Sequence, residues 1–501
     1  MKNLFFLTLL SLNLTFSQNI LDIDSTTILN QVNATYTASK SSPINHQNIS
    51  LNEIEIKSIG QEPSLFLSYT PSITAHTDAG HSQGYSYFRL RGIDQTRVNI
   101  SLDGVPLNDP MDQAFYFSNF ADILNSTSQI QIQRGIGTTK NGTASYAGNI
   151  ELFSPTLSNS QKTTIGLGYG SYNSIRSFVT FNSGIKKNKA IYVRLSQIYS
   201  DGFKQHSSNN SKSLFLSSGL FLDNATWKLN ILAGNQKNDL AWMPVLESDI
   251  NCDRTHNANS HYEVDDFSQI IMQLQNTYSI NNKNTLKSSI YSTLANGWWN
   301  FDLDNYYGFN STGLNLSQNE INSNLIGFFT NYIWKNNNLK LTTGIHTNTY
   351  NNKFTESDAN SELIYNQVNR IKNEISAFQK IEYKINKIIF NTDIQARKTV
   401  FDYESDFMMF KPINWCFINP KIGISWQTTN KGLAYFNIGK TGREPAKYDM
   451  FQGNDVAIYL CETDENFNPI NIPDFANELI NSTKPEYVTD LELGFRKNYK
   501  K

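Results

Sequence analysis

From about Ser154 to its end the chain alternates between apolar and polar positions. Ile191, Val193 and Leu195 are interleaved with Tyr192, Arg194 and Ser196, and Trp227, Leu229, Ile231 and Ala233 with Lys228, Asn230, Leu232 and Gly234. Ile175, Val179 and Phe181 continue the pattern more weakly. Successive side chains of a strand point to opposite faces, so a period of two predicts strands with one apolar and one polar face. Turn-forming residues interrupt these runs at 183–189, 281–284 and 335–338, and longer polar insertions at 239–266 and 300–319 read as loops. Runs of roughly ten residues, apolar outside and polar inside, divided by turns and longer loops, are the signature of a membrane β-barrel. A soluble sandwich or propeller also alternates, but the chain carries no blade-length repeat.

The preceding stretch, Tyr87 to Phe153, is built differently. Val98, Ile100 and Leu102 share one face and Asn99, Ser101 and Asp103 the other, which predicts a half-buried strand. Asp103-Gly104 is a hairpin-type turn signal, and Pro106 bars the strand from continuing. Ile130 and Ile132 alternate with Gln129, Gln131 and Gln133 until Arg134-Gly135 breaks the run. The pattern predicts a small mixed α/β domain on short strands, preceded by a helical turn at 64–67 after Pro63. Residues 75–85 read as an exposed loop, in which His76, Asp78 and His81 are solvated or touch a ligand rather than hold a structural metal.

The start of the chain sets its destination. Met1-Lys2-Asn3 is a positive n-region, residues 4–14 are largely apolar, and Thr15 and Ser17 are small residues before a cut at Gln18. This predicts a secretory signal peptide over 1–17. No later apolar run approaches the roughly 18 residues a spanning helix requires, so a mature chain that crosses a membrane must do so as a closed barrel. Aromatic residues make up 13% of the 501, enough to supply interfacial girdles through Tyr169, Tyr172, Tyr192, Tyr199 and Phe203. A formal net charge of -2 gives no case for nucleic acid. Cys252, Cys416 and Cys461 are far apart, lack metal-ligand spacing and read as incidental. No Ser–His–Asp set, H-E-x-x-H motif or Walker loop is present, so neither an enzyme nor a cofactor is expected.

Leu90-Arg91-Gly92, then 102–109 (LDGVPLND), 130–138 (IQIQRGIGT), Asn141-Gly142 and 147–150 (AGNI) follow in a fixed order. This resembles the plug domain of TonB-dependent outer-membrane receptors. Gln131 stands where that family usually carries Glu, and Ala147 where many members have the first of two glycines. Later elements are similar to the family's barrel: 199–203 (YSDGF), 441–445 (TGREP) and 484–494 (KPEYVTDLELG). The resemblance implies a periplasmic arm over 18–50, a plug over 51–155 and a transmembrane antiparallel barrel over 156–501. It also implies an incomplete barrel of roughly 12–17 strands out of the family's 22, and hence a C-terminally truncated receptor.

Function follows from the resemblance as expectation. The chain would sit in the outer membrane, amid its lipid, and import a scarce ligand with energy delivered by TonB from the inner-membrane complex. The TonB box would be Leu29, Asn30, Gln31, Val32, Asn33 and Ala34, an extended segment suited to strand addition. The cargo would be an iron–siderophore complex; haem, cobalamin, an oligosaccharide, or a non-transporting surface barrel are the alternatives. His76, His81 and Tyr85 of the plug, with Trp242, Trp298 and Trp299 of the barrel, are the candidate ligand contacts. By resemblance, Arg91 and Arg134 of the plug would pair with Glu444 and Glu492 of the barrel.

Overall fold

The computed structural model describes residues 38–137, 146–361, 363–406, 412–428, 432–461 and 483–497. The expected signal peptide at 1–17, the expected TonB box at 29–34 and Asn141-Gly142 lie outside the described residues. What is described is mostly β: a small plug sheet with short helices, wrapped by a long antiparallel wall.

The plug strands are β1 (His46–Ser50), β2 (Ile73–Thr77), β3 (Ser86–Leu90), β4 (Ile93–Asp94), β5 (Val98–Leu102), β6 (Val105–Pro106), β7 (Gln129–Arg134) and β8 (Gly148–Phe153). One sheet runs β1-β7-β8-β5-β6 and a second β2-β3-β4; β5 and β8 are parallel, which makes the domain mixed. Two tight turns set this geometry. Arg91 and Gly92 both have positive φ (53° and 81°), as do Asp103 and Gly104 (48° and 86°), the requirement of a two-residue hairpin turn that matches strand twist.

Two expectations change here. The arm was to run to residue 50, yet β1 pairs with β7 along its length from His46↔Gln133 to Ser50↔Gln129, because Ile49 is buried with the plug core. Helix α1 (Leu51–Lys57) follows directly. Its capping box has the Glu53 amide donating to Ser50 Oγ (3.4 Å) and the Ser50 amide donating to Glu53 Oε2 (2.9 Å). Helix α2 (Pro63–Leu67) begins on the proline, as a first-turn proline should.

The second change concerns burial. Val98, Ile100, Ile130, Ile132 and Ile150 form an apolar core, but Asn99, Ser101, Gln131 and Glu151 on the opposite face are buried as well. The strands are enclosed on both faces, and much of the polar face pairs within itself. Ser101 Oγ and the Gly104 amide donate to Glu151 (2.5 and 2.7 Å), and Asn99 donates to Asn149 (2.6 Å), since an unpaired buried polar group is costly.

The wall strands are β9 (Gln161–Tyr169), β10 (Ile175–Ser183), β11 (Lys189–Ser200), β12 (Asn209–Phe221), β13 (Ala225–Asp239), β14 (Val264–Asn281) and β15 (Asn284–Asp302). They continue as β16 (Leu316–Asn336), β17 (Leu339–Asp358), β18 (Ile364–Ile385), β19 (Ile388–Ser405), β20 (Ile413–Gln427), β21 (Gly432–Arg443) and β22 (Glu486–Lys497). They form one sheet of 14 strands, each antiparallel to its chain neighbours, with β9 and β22 at its edges among the described residues. The turns at 184–188, 282–283 and 337–338 are short and gather at one end; the connections at 240–263 and 303–315 are long and gather at the other. The predicted alternation holds. On β22, Tyr487, Leu491, Leu493 and Phe495 are exposed outward, while Glu486, Asp490, Glu492 and Arg496 turn inward onto the plug.

Candidate functional site

The plug is fastened to the wall by charged pairs spread around the sheet. Asp122 of the plug, its side chain fully enclosed, receives Arg176 of β10 through two nitrogens (Nη2–Oδ1 2.7 Å, Nε–Oδ2 3.0 Å) and Arg194 of β11 at 2.5 Å. Fork-on-carboxylate geometry fixes register as well as adding energy. Arg97 of the plug reaches Glu486 of β22 at 2.6 Å, and Glu486 also holds Arg443 at 3.1 Å. Plug Asp112 meets Lys447 at 3.1 Å. Backbone joins in. Gly135 has φ 80°, a conformation that favours glycine, and a Cβ there would crowd Asp490 Oδ2, the carboxylate to which the Ile136 amide donates (3.4 Å).

The four residues expected to pair are split. Arg91 Nη2 lies 2.9 Å from Glu492 Oε1. Arg134 instead donates to Ser72 Oγ, Asn45 Oδ1, Gln47 Oε1 and the Pro71 carbonyl at 3.0–3.2 Å, and meets no carboxylate within salt-bridge distance among the described residues. Glu444 is enclosed between Lys372 of β18 and Arg397 of β19, both at 2.8 Å. The reason is strand level. Glu492 pairs across to Asn437, and Glu444 stands seven residues further along, about 23 Å away at strand rise. Plug contact at that level is made by the Asp109–Gln113 loop: the Gln113 side chain donates through Nε2 to the Glu444 backbone carbonyl (3.0 Å) and Lys372 donates to the Pro110 carbonyl (2.6 Å).

At the long-loop end, β2 and β3 and the 78–85 turn of the plug rise against the wall loops. They bound an open pocket of about 320 Å³ lined by Asp78, Phe203, Lys204, Trp242, Met243, Arg254 and His256, among others. The Tyr87 hydroxyl donates to Asp78 Oδ2 (3.2 Å). Burial pushes the Asp78 carboxyl up to about 6, with the Tyr87 hydrogen bond and nearby Lys204 holding it down.

The six candidate ligand contacts separate. Trp242 lines the pocket and stacks on Phe301 with ring centres 6.1 Å apart. His81 has both ring nitrogens engaged: Nδ1 accepts from the Gln83 amide (3.1 Å), which leaves Nε2 to donate to the Ser207 carbonyl (3.3 Å). Burial lowers its pKa, so it stays neutral and ties the plug turn to the wall. The Tyr85 hydroxyl accepts from Gln236 of β13 (3.0 Å), a second tie of the same kind. His76 is on strand β2 rather than in a loop and stacks on Tyr87. Trp299 packs inward on Phe267 and Phe354. Trp298, its neighbour on β15, faces the opposite side, as a strand's period demands. Lys204, Arg254 and His256 went unnoticed in the sequence because isolated charges in polar loops carry no periodic signal.

Residues 38–149 match the TonB-dependent Receptor Plug Domain family. The N-terminal domain is a TonB-dependent receptor plug. With the wall around it, the chain has the plug-and-barrel architecture of the TonB-dependent receptors. It is similar to the ferric citrate transporter FecA in its unliganded form, with TM-score 0.71 and 13% identity over 91% of this chain and 68% of that one. It is also similar to the copper transporter OprC (0.72, 12%, covering 93% and 70%). A third likeness is to the siderophore receptor PiuA from Acinetobacter baumannii (0.68, 13%, covering 92% and 70%). No curated protein sequence matches the chain. The matched proteins are transporters and receptors, not enzymes. TonB-dependent receptors are outer-membrane β-barrels; no helix among the described residues is long and apolar enough to cross a membrane.

Proposed function

We propose that this receptor captures a small metal chelate, a ferric siderophore, at the cell surface and imports it across the outer membrane on energy delivered by TonB. The observation that carries the reading is the pocket at the long-loop end, floored by the plug turn at Asp78 and walled by the loops that hold Lys204, Trp242, Arg254 and His256. Long loops face outward in barrels of this kind, so the pocket would open to the medium. Its volume of about 320 Å³ falls within the range of small-molecule sites, and its mix of aromatic surface with a few placed charges suits a chelate. The ferric citrate transporter and the siderophore receptor among its structural likenesses support the same class of cargo. Below the pocket the ion pairs of Asp122, Arg97 and Arg91 would keep the plug closed until the arm is pulled.

The test is accumulation of iron-55 supplied as a panel of chelates by cells that depend on this chain. Arg254→Glu should lower surface capture. Val32→Pro, which removes a backbone donor from any strand added at the expected TonB box, should leave capture intact and abolish uptake. Equal uptake of every chelate with and without the chain would refute the importer.

A further inference from the structure

The opposite end of the lumen is unlike the pocket above. Where the plug's leading segment meets the wall, the space is filled: Arg496 of β22 donates to the Ser42 and Ile44 carbonyls (3.1 and 3.2 Å), and Ser425 of β20 donates to the Ser41 carbonyl (2.7 Å). Across the mouth, the short turns of β14–β15, β16–β17 and β18–β19 leave an open cleft of about 420 Å³. Lys283, Lys335, Lys340 and Lys384 line it, with Glu382 as its one carboxylate.

Period two gives the direction of these lysines. Lys335 shares its face of β16 with buried Asn331 and Ile333, and Lys340 shares its face of β17 with buried Thr342 and Tyr350. Lys384 shares its face of β18 with Ser376 and Phe378. The alternate positions Tyr332 and Tyr383 are on the outer surface. Lys335 and Lys340 face each other across the turn, and Lys340 faces Glu382. Glu382 is already engaged by Lys340 (2.8 Å) and Lys380 (3.7 Å). Lys335 and Lys384 have no carboxylate within 4.0 Å among the described residues. Like charges placed opposite one another on paired strands repel, and Glu382, the cleft's one carboxylate, offsets only part of its positive charge.

We propose that the cleft is a binding station for a small polyvalent anion, and that cargo leaves the lumen through it as an anionic chelate bearing carboxylate, catecholate or phosphate groups. The exit role rests on the importer reading above; the anion site does not. The cleft's volume suits a small molecule rather than a protein domain, and its charges turn toward the lumen rather than toward lipid.

Radiolabelled citrate is the probe. Equilibrium dialysis with the full purified chain, carrying Lys204→Gln and Arg254→Gln to silence the outer pocket, should detect bound citrate. Adding Lys335→Gln, Lys340→Gln and Lys384→Gln should weaken binding about tenfold or more, while arginine at the same three positions preserves it. Equal binding by the glutamine and lysine proteins overturns the site, and the arginine variant separates charge loss from misfolding. In cells with the outer pocket intact, the three glutamines should leave surface capture of ferric citrate unchanged and slow its accumulation about tenfold. Unchanged accumulation overturns the exit role. If neither protein takes up any chelate, the importer reading fails and the dialysis result alone decides the site.

Discussion

Glu444 has no solvent-exposed side-chain surface and lies between two cations at 2.8 Å. Taking one charge from such a cluster strands the others in a low-dielectric setting, which typically costs 3–5 kcal/mol. Glu444→Gln should therefore lower unfolding stability by about 3–5 kcal/mol, read by denaturant titration. Arg91→Ala should cost only about 0–1 kcal/mol, because the Arg91 side chain is 38% exposed and water screens its pair with Glu492. Asp78 adds a pH dependence. Its folded pKa of about 6 exceeds the unfolded value of about 4. The folded chain keeps this proton where the unfolded chain has lost it, so stability falls as pH rises from about 4 to about 6 and then levels off. Asp78→Asn should melt higher than the wild type at pH about 7.5, by a margin that vanishes near pH 4. The sequence exposed charges on the inward face, Arg194 among them, but could not name their partners. Asp122 is 54 residues from Arg176 and 72 from Arg194, and only the wall folded around the plug brings them together.

Among the elements, β22 shows the rule most plainly. Its outward residues are apolar and its inward ones charged, and Leu493 is 80% exposed on the outer face. Leu493→Arg should cost about 2–4 kcal/mol where that face meets lipid, while Leu493→Ile should be tolerated; folded and unfolded forms are separable by gel mobility in urea. The cysteines offer a topological check. All three are free; Cys252 in the 240–263 loop and Cys416 on the outer face of β20 are exposed, and Cys461 is buried. An aqueous maleimide applied to intact cells should label Cys252 and spare Cys416. Strands and short turns were legible because both signals are local: alternation of two and Asn-, Gly- or Lys-rich breaks. β1 was hidden because only Ile49 of His46–Ser50 is strongly apolar, so its pattern resembles an arm. The Trp298-Trp299 pair shows the converse: adjacency in sequence suggests a joint surface, and strand geometry forbids it.

At the scale of the whole molecule, the plug is held by contacts of very long range. Arg91 and Glu492 are 401 residues apart, and Asn45 and Glu492 are 447 apart. Between the synthesis of Arg91 and that of Glu492, at 5–20 residues per second, roughly 20–80 s pass. The N-terminal domain is thus made first and seated last. Arg176 and Arg194 are made early in that interval, but Glu486 and Glu492 of β22 come only at its end, so the wall that covers the plug sheet is incomplete until then. Contacts that close over such separations form slowly, so these pairs act as the final register of assembly, with the first-made domain passing inspection only once the last described strand is in place.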